Sequence, residues 1–273
     1  MRGVSRTSHA EAAERLEALL DRTADPAARS QLGTELFAVT DLLDSSISLR
    51  RSLTDASRRG EDKARLVERL LGDKVSADAV DLLSGAVRAR WSEARDLADA
   101  TELLGVDAVL AAAEAGGRLD AVEQEVDVAG RALAGDRDVR SALSRRDATP
   151  AARRRLVERL VGGSLGEESR VLVTRMAAAP RGRRPEEAFD LVVEAAAQRR
   201  ERLVARVSVA TWPTEEQQQR LAAALSRSYG RTVRLAIDVD PGVVGGMRVQ
   251  VGDEVRDGTV ARRLQAAAEQ LGR

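Results

Sequence analysis

Residues 233–259 read VRLAIDVDPGVVGGMRVQVGDEVRDGT. Val233, Leu235, Ile237 and Val239 alternate with Arg234, Ala236 and Asp238, and Met247, Val249 and Val251 alternate with Arg248 and Gln250. A period of two puts successive side chains on opposite faces, so both runs predict half-buried strands. Pro241 fixes φ and has no N–H for a ladder, so it ends the first strand after Asp240. Gly245 and Gly246 permit a bend that a side chain would block. Gly252-Asp253 and Asp257-Gly258 are turn pairs, and the second ends the strand region.

The same reading extends in both directions. Upstream, Leu203, Ala205, Val207 and Val209 alternate with Val204, Arg206 and Ser208, which predicts another strand. Thr214-Glu215-Glu216-Gln217 is a capping box that opens a helix, and Trp212, just before Pro213, suits a hydrophobic staple on that helix. Downstream, Val260, Leu264, Ala267 and Leu271 share one face of a last helix. Residues 203–273 therefore predict a small β-α-β-β-α domain.

From Ser5 to Arg202 the pattern is helical. Leu32, Leu36, Val39 and Leu43 recur at helical spacing, after Asp25 as cap and Pro26 at the first helical position. Leu66, Val67, Leu70 and Leu71 end at Gly72; Ser76 precedes Val80, Leu82, Leu83 and Val87; Thr149-Pro150 opens a helix that Gly162 closes. Pro180-Arg181-Gly182-Arg183-Arg184-Pro185 reads as a loop. Its arginines suit a solvated surface better than contact with an acidic partner. The fold class is mainly α with a small C-terminal α/β domain.

The helical part repeats. Arg65-Leu66-Val67-Glu68-Arg69-Leu70-Leu71-Gly72 recurs as Arg155-Leu156-Val157-Glu158-Arg159-Leu160-Val161-Gly162. The same spacing, without a gap, pairs Glu35 with Glu125, Arg50 with Arg140, Leu53 with Leu143, Leu82 with Leu172 and Ala98 with Ala188. This predicts two tandem copies of one helical bundle, residues 1–104 and 105–202, ahead of the tail. Residues from Glu93 to Ala115 can serve as the last helix of one copy and the first of the next.

The residue inventory excludes most chemistry. There is no cysteine, so no disulfide, thiolate nucleophile or cysteine-ligated metal. His9 is the only histidine, too little for a transition-metal cluster, and it reads as a bystander. No phosphate-binding loop occurs; Gly72-Asp73-Lys74 lacks the spacing, and Gly245-Gly246 precedes a strand where a dinucleotide site needs the reverse order. Carboxylate pairs such as Asp238 with Asp240 read as solvated faces and caps. Trp91 reads as core. Lys plus Arg equals Asp plus Glu at 44 each, so the net charge is zero, which argues against nucleic acid and anionic membrane as partners. No apolar run approaches the roughly 20 residues of a membrane-spanning helix.

Taken in order, the strand, the Asp240-Pro241 turn, Gly245-Gly246, the second strand, the Gly252 turn, Asp257-Gly258 and the final helix resemble the C-terminal motif of ATP synthase delta and OSCP subunits. Leu119 to Glu125 and Ala151 to Gly163 resemble helices of the same family. The resemblance implies a non-catalytic stator subunit of an F-type ATP synthase, in an enlarged form with a duplicated helical region. It implies a helical part that grips N-terminal helices of alpha subunits and a tail that holds b-type stalk helices. It implies no cofactor and no membrane insertion, one copy per complex, and a peripheral place at the cytoplasmic face of a bacterial plasma membrane. Two copies give two candidates for the head contact. The face Leu16, Leu19 and Leu20 is a candidate for the alpha groove, and the same leucines also suit bundle core. A helical scaffold or regulator unrelated to ATP synthase is the second reading; its mark would be a basic face, and zero net charge opposes it.

Overall fold

The computed structural model describes the chain outside residues 1–2, 146, 202–203, 230–232, 241–242, 244–245, 252–253 and 258–273. The chain divides into two compact units, Met1–Ala196 and Ala197–Arg273.

The helices run α1 (Val4–Arg22), α2 (Pro26–Ser45), α3 (Ile47–Thr54), α4 (Gly60–Leu71), α5 (Ala77–Arg88), α6 (Ala94–Ala115), α7 (Leu119–Gly135), α8 (Arg137–Ser144), α9 (Pro150–Val161), α10 (Glu167–Ala178) and α11 (Pro185–Glu201). Side chains start them where the sequence says they should. The Asp25 carboxylate accepts from the Ala27 N–H at 3.0 Å, Ser76 Oγ from Ala79 at 3.3 Å and Thr149 Oγ1 from Ala152 at 3.2 Å. Each satisfies one of the orphan amides of a first turn.

The repeat is structural as well as textual. Moved along the chain by the spacing of the sequence repeat, α3, α4 and α5 coincide end to end with α8, α9 and α10, and the start of α1 falls on the start of α6. Helix α6 is thus the last helix of the first bundle and the first of the second. Contacts repeat too. Glu35 accepts from the Ser76 N–H at 3.0 Å, and Glu125 accepts from the Gly166 N–H at 2.7 Å. In both copies a carboxylate closes the N-terminus of the fifth helix, where free amides and the helix dipole favour negative charge. Arg50 donates to the Leu43 and Asp44 carbonyls, and Arg140 to that of Ala134. Leu53 and Leu143, Leu82 and Leu172, and Ala98 and Ala188 are all buried.

Each copy has its own core, and α6 contributes to both. Leu97, Leu104 and Ala108 join Leu16, Leu36, Leu43 and Leu82 in the first. Val106, Val109 and Leu110 join Val122, Leu133, Leu172 and Val192 in the second. Phe37 of α2 crosses over to the second core. Trp91 is core, as expected, with its indole N–H donating to the Ala86 carbonyl at 2.9 Å. Helices α2 and α6 approach closely at two glycines. A Cβ on Gly33 would lie 2.5 Å from Val109 Cγ2 and 2.8 Å from the Gly105 carbonyl oxygen; one on Gly105 would meet the Phe37 ring at 2.7 Å.

The tail holds β1 (Val204–Val209), α12 (Glu215–Tyr229), β2 (Arg234–Val239), β3 (Met247–Val251) and β4 (Glu254–Asp257). The sheet order is β2-β1-β3-β4. Strands β1 and β2 are parallel across the α12 crossover, and the other pairs are antiparallel. Ala205, Val207, Val249 and Val251 pack with Leu225 and Val233, so the alternation does select the buried face. The capping box forms: Thr214 N–H donates to Gln217 Oε1 at 2.9 Å and Gln217 N–H to Thr214 Oγ1 at 3.3 Å. Two features depart from the sequence reading. Strand β4 is an addition, and Trp212 is 61% exposed, so it is no staple. The expected last helix, with Val260, Leu264, Ala267 and Leu271, lies outside the described residues.

The glycine crossing makes a direct prediction. Gly33→Ala or Gly105→Ala gains up to about 1 kcal/mol of helix propensity but forces α2 and α6 apart, and overpacking of this kind costs about 1–3 kcal/mol. Both variants should lower the urea midpoint. Gly135→Ala, where a Cβ meets nothing within 4 Å, should not. Equal midpoints for all three would show that the close approach is not under constraint.

Candidate interaction surfaces

A buried ion cluster ties the two copies together. Glu102 of α6 is fully buried. Arg175 of α10 reaches its Oε1 at 3.2 Å, and Arg181 and Arg183, on the connection to α11, reach its Oε2 at 3.0 and 2.6 Å. Arg181 also grips Asp44, at the end of α2, at 2.5 and 3.1 Å, and Asp99 at 2.8 Å. Arg175 pairs with Asp41 of α2 at 2.5 Å and lies 5.1 Å from the centroid of the Phe37 ring. Burial pushes the Glu102 carboxyl up, but Arg183, Arg181 and Arg175 outweigh it and hold it below the ordinary glutamate value. Burial likewise opposes the charge of Arg181, yet its hydrogen bond to Asp44 and the charges of Glu102 and Asp99 raise it further.

This corrects the reading of residues 181–184 as a solvated run. Only Arg184 fits it, exposed and paired with Glu187. Arg181 and Arg183 meet an acidic partner inside their own chain. A buried ion pair is weak evidence for net stability, because desolvation offsets most of the attraction. Its geometry does fix which turn of α2 faces which turn of α10.

Beside this cluster lies an open cleft of about 940 Å3 between α2 on one side and α9 and α10 on the other. Thr34, Ala38 and Asp41 line it from α2, and Arg153, Arg154, Arg170 and Val171 from the second copy.

The faces of the two copies differ around their first and fifth helices. In the second copy, α2 lies on α6 and also touches α10. At the repeat-equivalent place in the first copy, on α1 and α5, the exposed Arg15 lies over Gly85, whose Cβ position is 3.0 Å from Arg15 Cδ. Leu16, Leu19 and Leu20 are not on this surface: they are at most 3% exposed, within the first core.

In the tail, Val239 and Met247 sit opposite Val209 in the strand register, and both are exposed at that end of the sheet. Trp212 follows three residues after β1 ends. Of the motif residues, Asp240 donates its N–H to the Val209 carbonyl, and its own carbonyl accepts from the Val243 N–H, both at 3.0 Å. Gly246 has φ 80°, a conformation that a side chain would strain. Asp257 ends β4. Pro241, Gly245, Gly252 and Gly258 lie outside the described residues. Among the described residues no group of three His, Asp or Glu is placed to hold a metal, and no helix is long and apolar enough to cross a membrane.

Residues 106–271 match the family described as ATP synthase delta (OSCP) subunit. The match starts inside α6 and takes in the second copy and the tail. The chain is 49% identical over 271 residues to the ATP synthase subunit delta of Streptomyces coelicolor, covering 99% of this chain and 98% of that one. It is 46% identical over 271 residues to that of Streptomyces griseus, covering 99% of each. It is 46% identical over 269 residues to that of Kineococcus radiotolerans, covering 98% and 97%. These relatives match through both helical copies, so the enlargement is theirs too. Among solved structures, a chain of the Toxoplasma gondii mitochondrial ATP synthase hexamer matches with a TM-score of 0.32 and 18% identity over 62% of this chain and 95% of its own, agreement too low to carry an argument.

The ion cluster predicts an acid response. The folded pKa of Glu102 lies below its ordinary value of 4.5, so its contribution is complete above pH 4.5 and is lost as pH falls through the lower folded value. Glu102→Gln removes the charge and turns one acceptor into a donor facing guanidinium donors. It should cost about 3–5 kcal/mol at neutral pH, as breaking one side of a buried pair does, and flatten the loss of stability below pH 4.5. Urea unfolding at several pH values reads both; an unchanged slope would show that other carboxylates dominate.

Proposed function

The chain belongs to the ATP synthase delta (OSCP) family, and on that premise we propose how this peripheral stalk subunit holds its neighbours. It is a structural stator, not a catalytic subunit. The observation that carries the reading is end-to-end similarity to delta subunits across both helical copies and the tail. Its mechanical role is to keep the catalytic head from turning with the central shaft during proton-driven synthesis. That needs no reactive group, only surfaces and stiffness.

The role is divided among three segments, residues 1–104, 105–202 and 203–273. The first copy meets the head. Its α1–α5 face carries only the exposed Arg15 over Gly85 among the described residues, whereas the matching face of the second copy carries α2. An N-terminal helix of an alpha subunit would lie along α1 and α5, with Arg15 displaced from Gly85 and available to an acidic side chain. Leu16, Leu19 and Leu20 support this face from the core. The second copy is the spacer that joins head contact to tail. The tail holds the b-type stalk helix through the exposed apolar residues Trp212, Val239 and Met247. Val239 and Met247 flank Val209 at one end of the sheet, and exposed apolar side chains grouped in this way mark a protein contact. One such subunit serves each complex, peripheral to the plasma membrane on its cytoplasmic face.

Co-purification from solubilised membranes tests the assignment. Arg15→Glu with Ala18→Glu, both exposed, should lower recovery of alpha subunits at least about tenfold while b is retained, a loss typical of a central contact residue. Trp212→Ala with Met247→Glu should do the reverse. Alpha recovery that withstands the α1 change would move the head contact to another surface, and loss of neither partner would overturn both assignments.

A further inference from the structure

We propose that the cleft between α2 and α9–α10 is a second docking groove, built for an acidic amphipathic helix of a neighbouring subunit. It is separate from the α1–α5 face and does not depend on which copy meets the head.

Charge is the first argument. Five arginines and three carboxylates line the cleft, in a chain whose total charge is zero. Two of the carboxylates are engaged, Asp41 with Arg175 and Asp44 with Arg181. Glu158 comes no closer than 4.0 Å to Arg170, beyond hydrogen-bond distance. Arg154 makes no ion pair or hydrogen bond among the described residues. The rim thus offers Arg154, and Arg170 beyond its loose ion pair with Glu158, to an incoming anion.

The repeat supplies the second argument. Where the second copy has Arg154 and Arg170, the first has Ala64 and Val80. In the first copy these two positions serve the core, whereas Arg154 and Arg170 are exposed, so neither guanidinium group takes part in core packing. The third argument is that the lining is not wholly charged. Ala38, Val171 and Ala179 supply apolar contact within it. Helices form both walls, and small apolar residues and cations in one cleft match a helix with one small-apolar face and carboxylates on its edges.

The first test is a fluorescence-anisotropy titration of the intact chain with a labelled synthetic helix of about five turns, apolar on one face and flanked by glutamates. A second helix with lysine in place of glutamate and inorganic phosphate serve as comparison probes. The glutamate helix should bind, the lysine helix should not, and binding should weaken as salt rises. Arg154→Glu with Arg170→Glu should weaken it by about tenfold or more. Arg154→Ala with Arg170→Ala, which introduces no repulsion, should weaken it less and leave the unfolding midpoint unchanged. In the assembled complex, a photoreactive residue at position 154 should label a segment of another subunit richer in Asp and Glu than in Lys and Arg. Equal binding by wild type and both variants, competition by phosphate at matching concentration, or labelling confined to this chain would each overturn the proposal.

Discussion

One helix belongs to two cores, and the rest of the helical unit follows from that. From Leu104 to Ala113 every residue of α6 is buried except Asp107. A helix buried on all sides has no polar face to spend, and its neighbours must approach it closely. Small residues allow that approach, with Gly105 against Gly33 and Phe37, and alanines at 108 and 111 through 113. The one fully buried carboxylate of α6, Glu102, stands at the edge of this zone, and three arginines converge on it. A lone charge there would be prohibitive; a charge held by three donors acts as a peg that sets the register between α2, α6 and α10.

Much of this was legible in the sequence because it is local. A cap, a capping box or a strand alternation is decided within a few residues, and Asp25, Ser76, Thr149 and Thr214 behave as their positions require. The duplication was legible too, since Glu35 and Glu125 stand at matching positions and make matching contacts. What the sequence hid depends on distance or on weak pattern. Arg181 and Asp44 are far apart in the chain, so nothing near Arg181 says whether its charge meets water or a carboxylate. Strand β4 has only Val255 between charged residues, and an edge strand needs one paired side and no apolar alternation.

The interaction surfaces were the least legible part. Leucines at helical spacing are the signal of an amphipathic face, but that signal cannot tell a groove from a core, and Leu16, Leu19 and Leu20 are core. The surface that distinguishes the first copy from the second is marked instead by an exchange of residues between repeats, Arg15 for Gly105 and Gly85 for Arg175, whose meaning emerges only when α2 is seen lying across the second copy.

Sharing a helix also removes the usual joint between repeated modules. Two bundles strung on a flexible linker would swing under load and store little of it. Here the connection is α6 itself, without proline or cis peptide, clamped along its length by side chains from both sides. To flex one copy against the other, the backbone ladder of α6 must bend or break, and helices kink sharply only where proline, a bulge or an inserted group permits it. The pair is built as a short beam and not as a hinge, so a sideways pull on one end meets a continuous helix before it reaches the other.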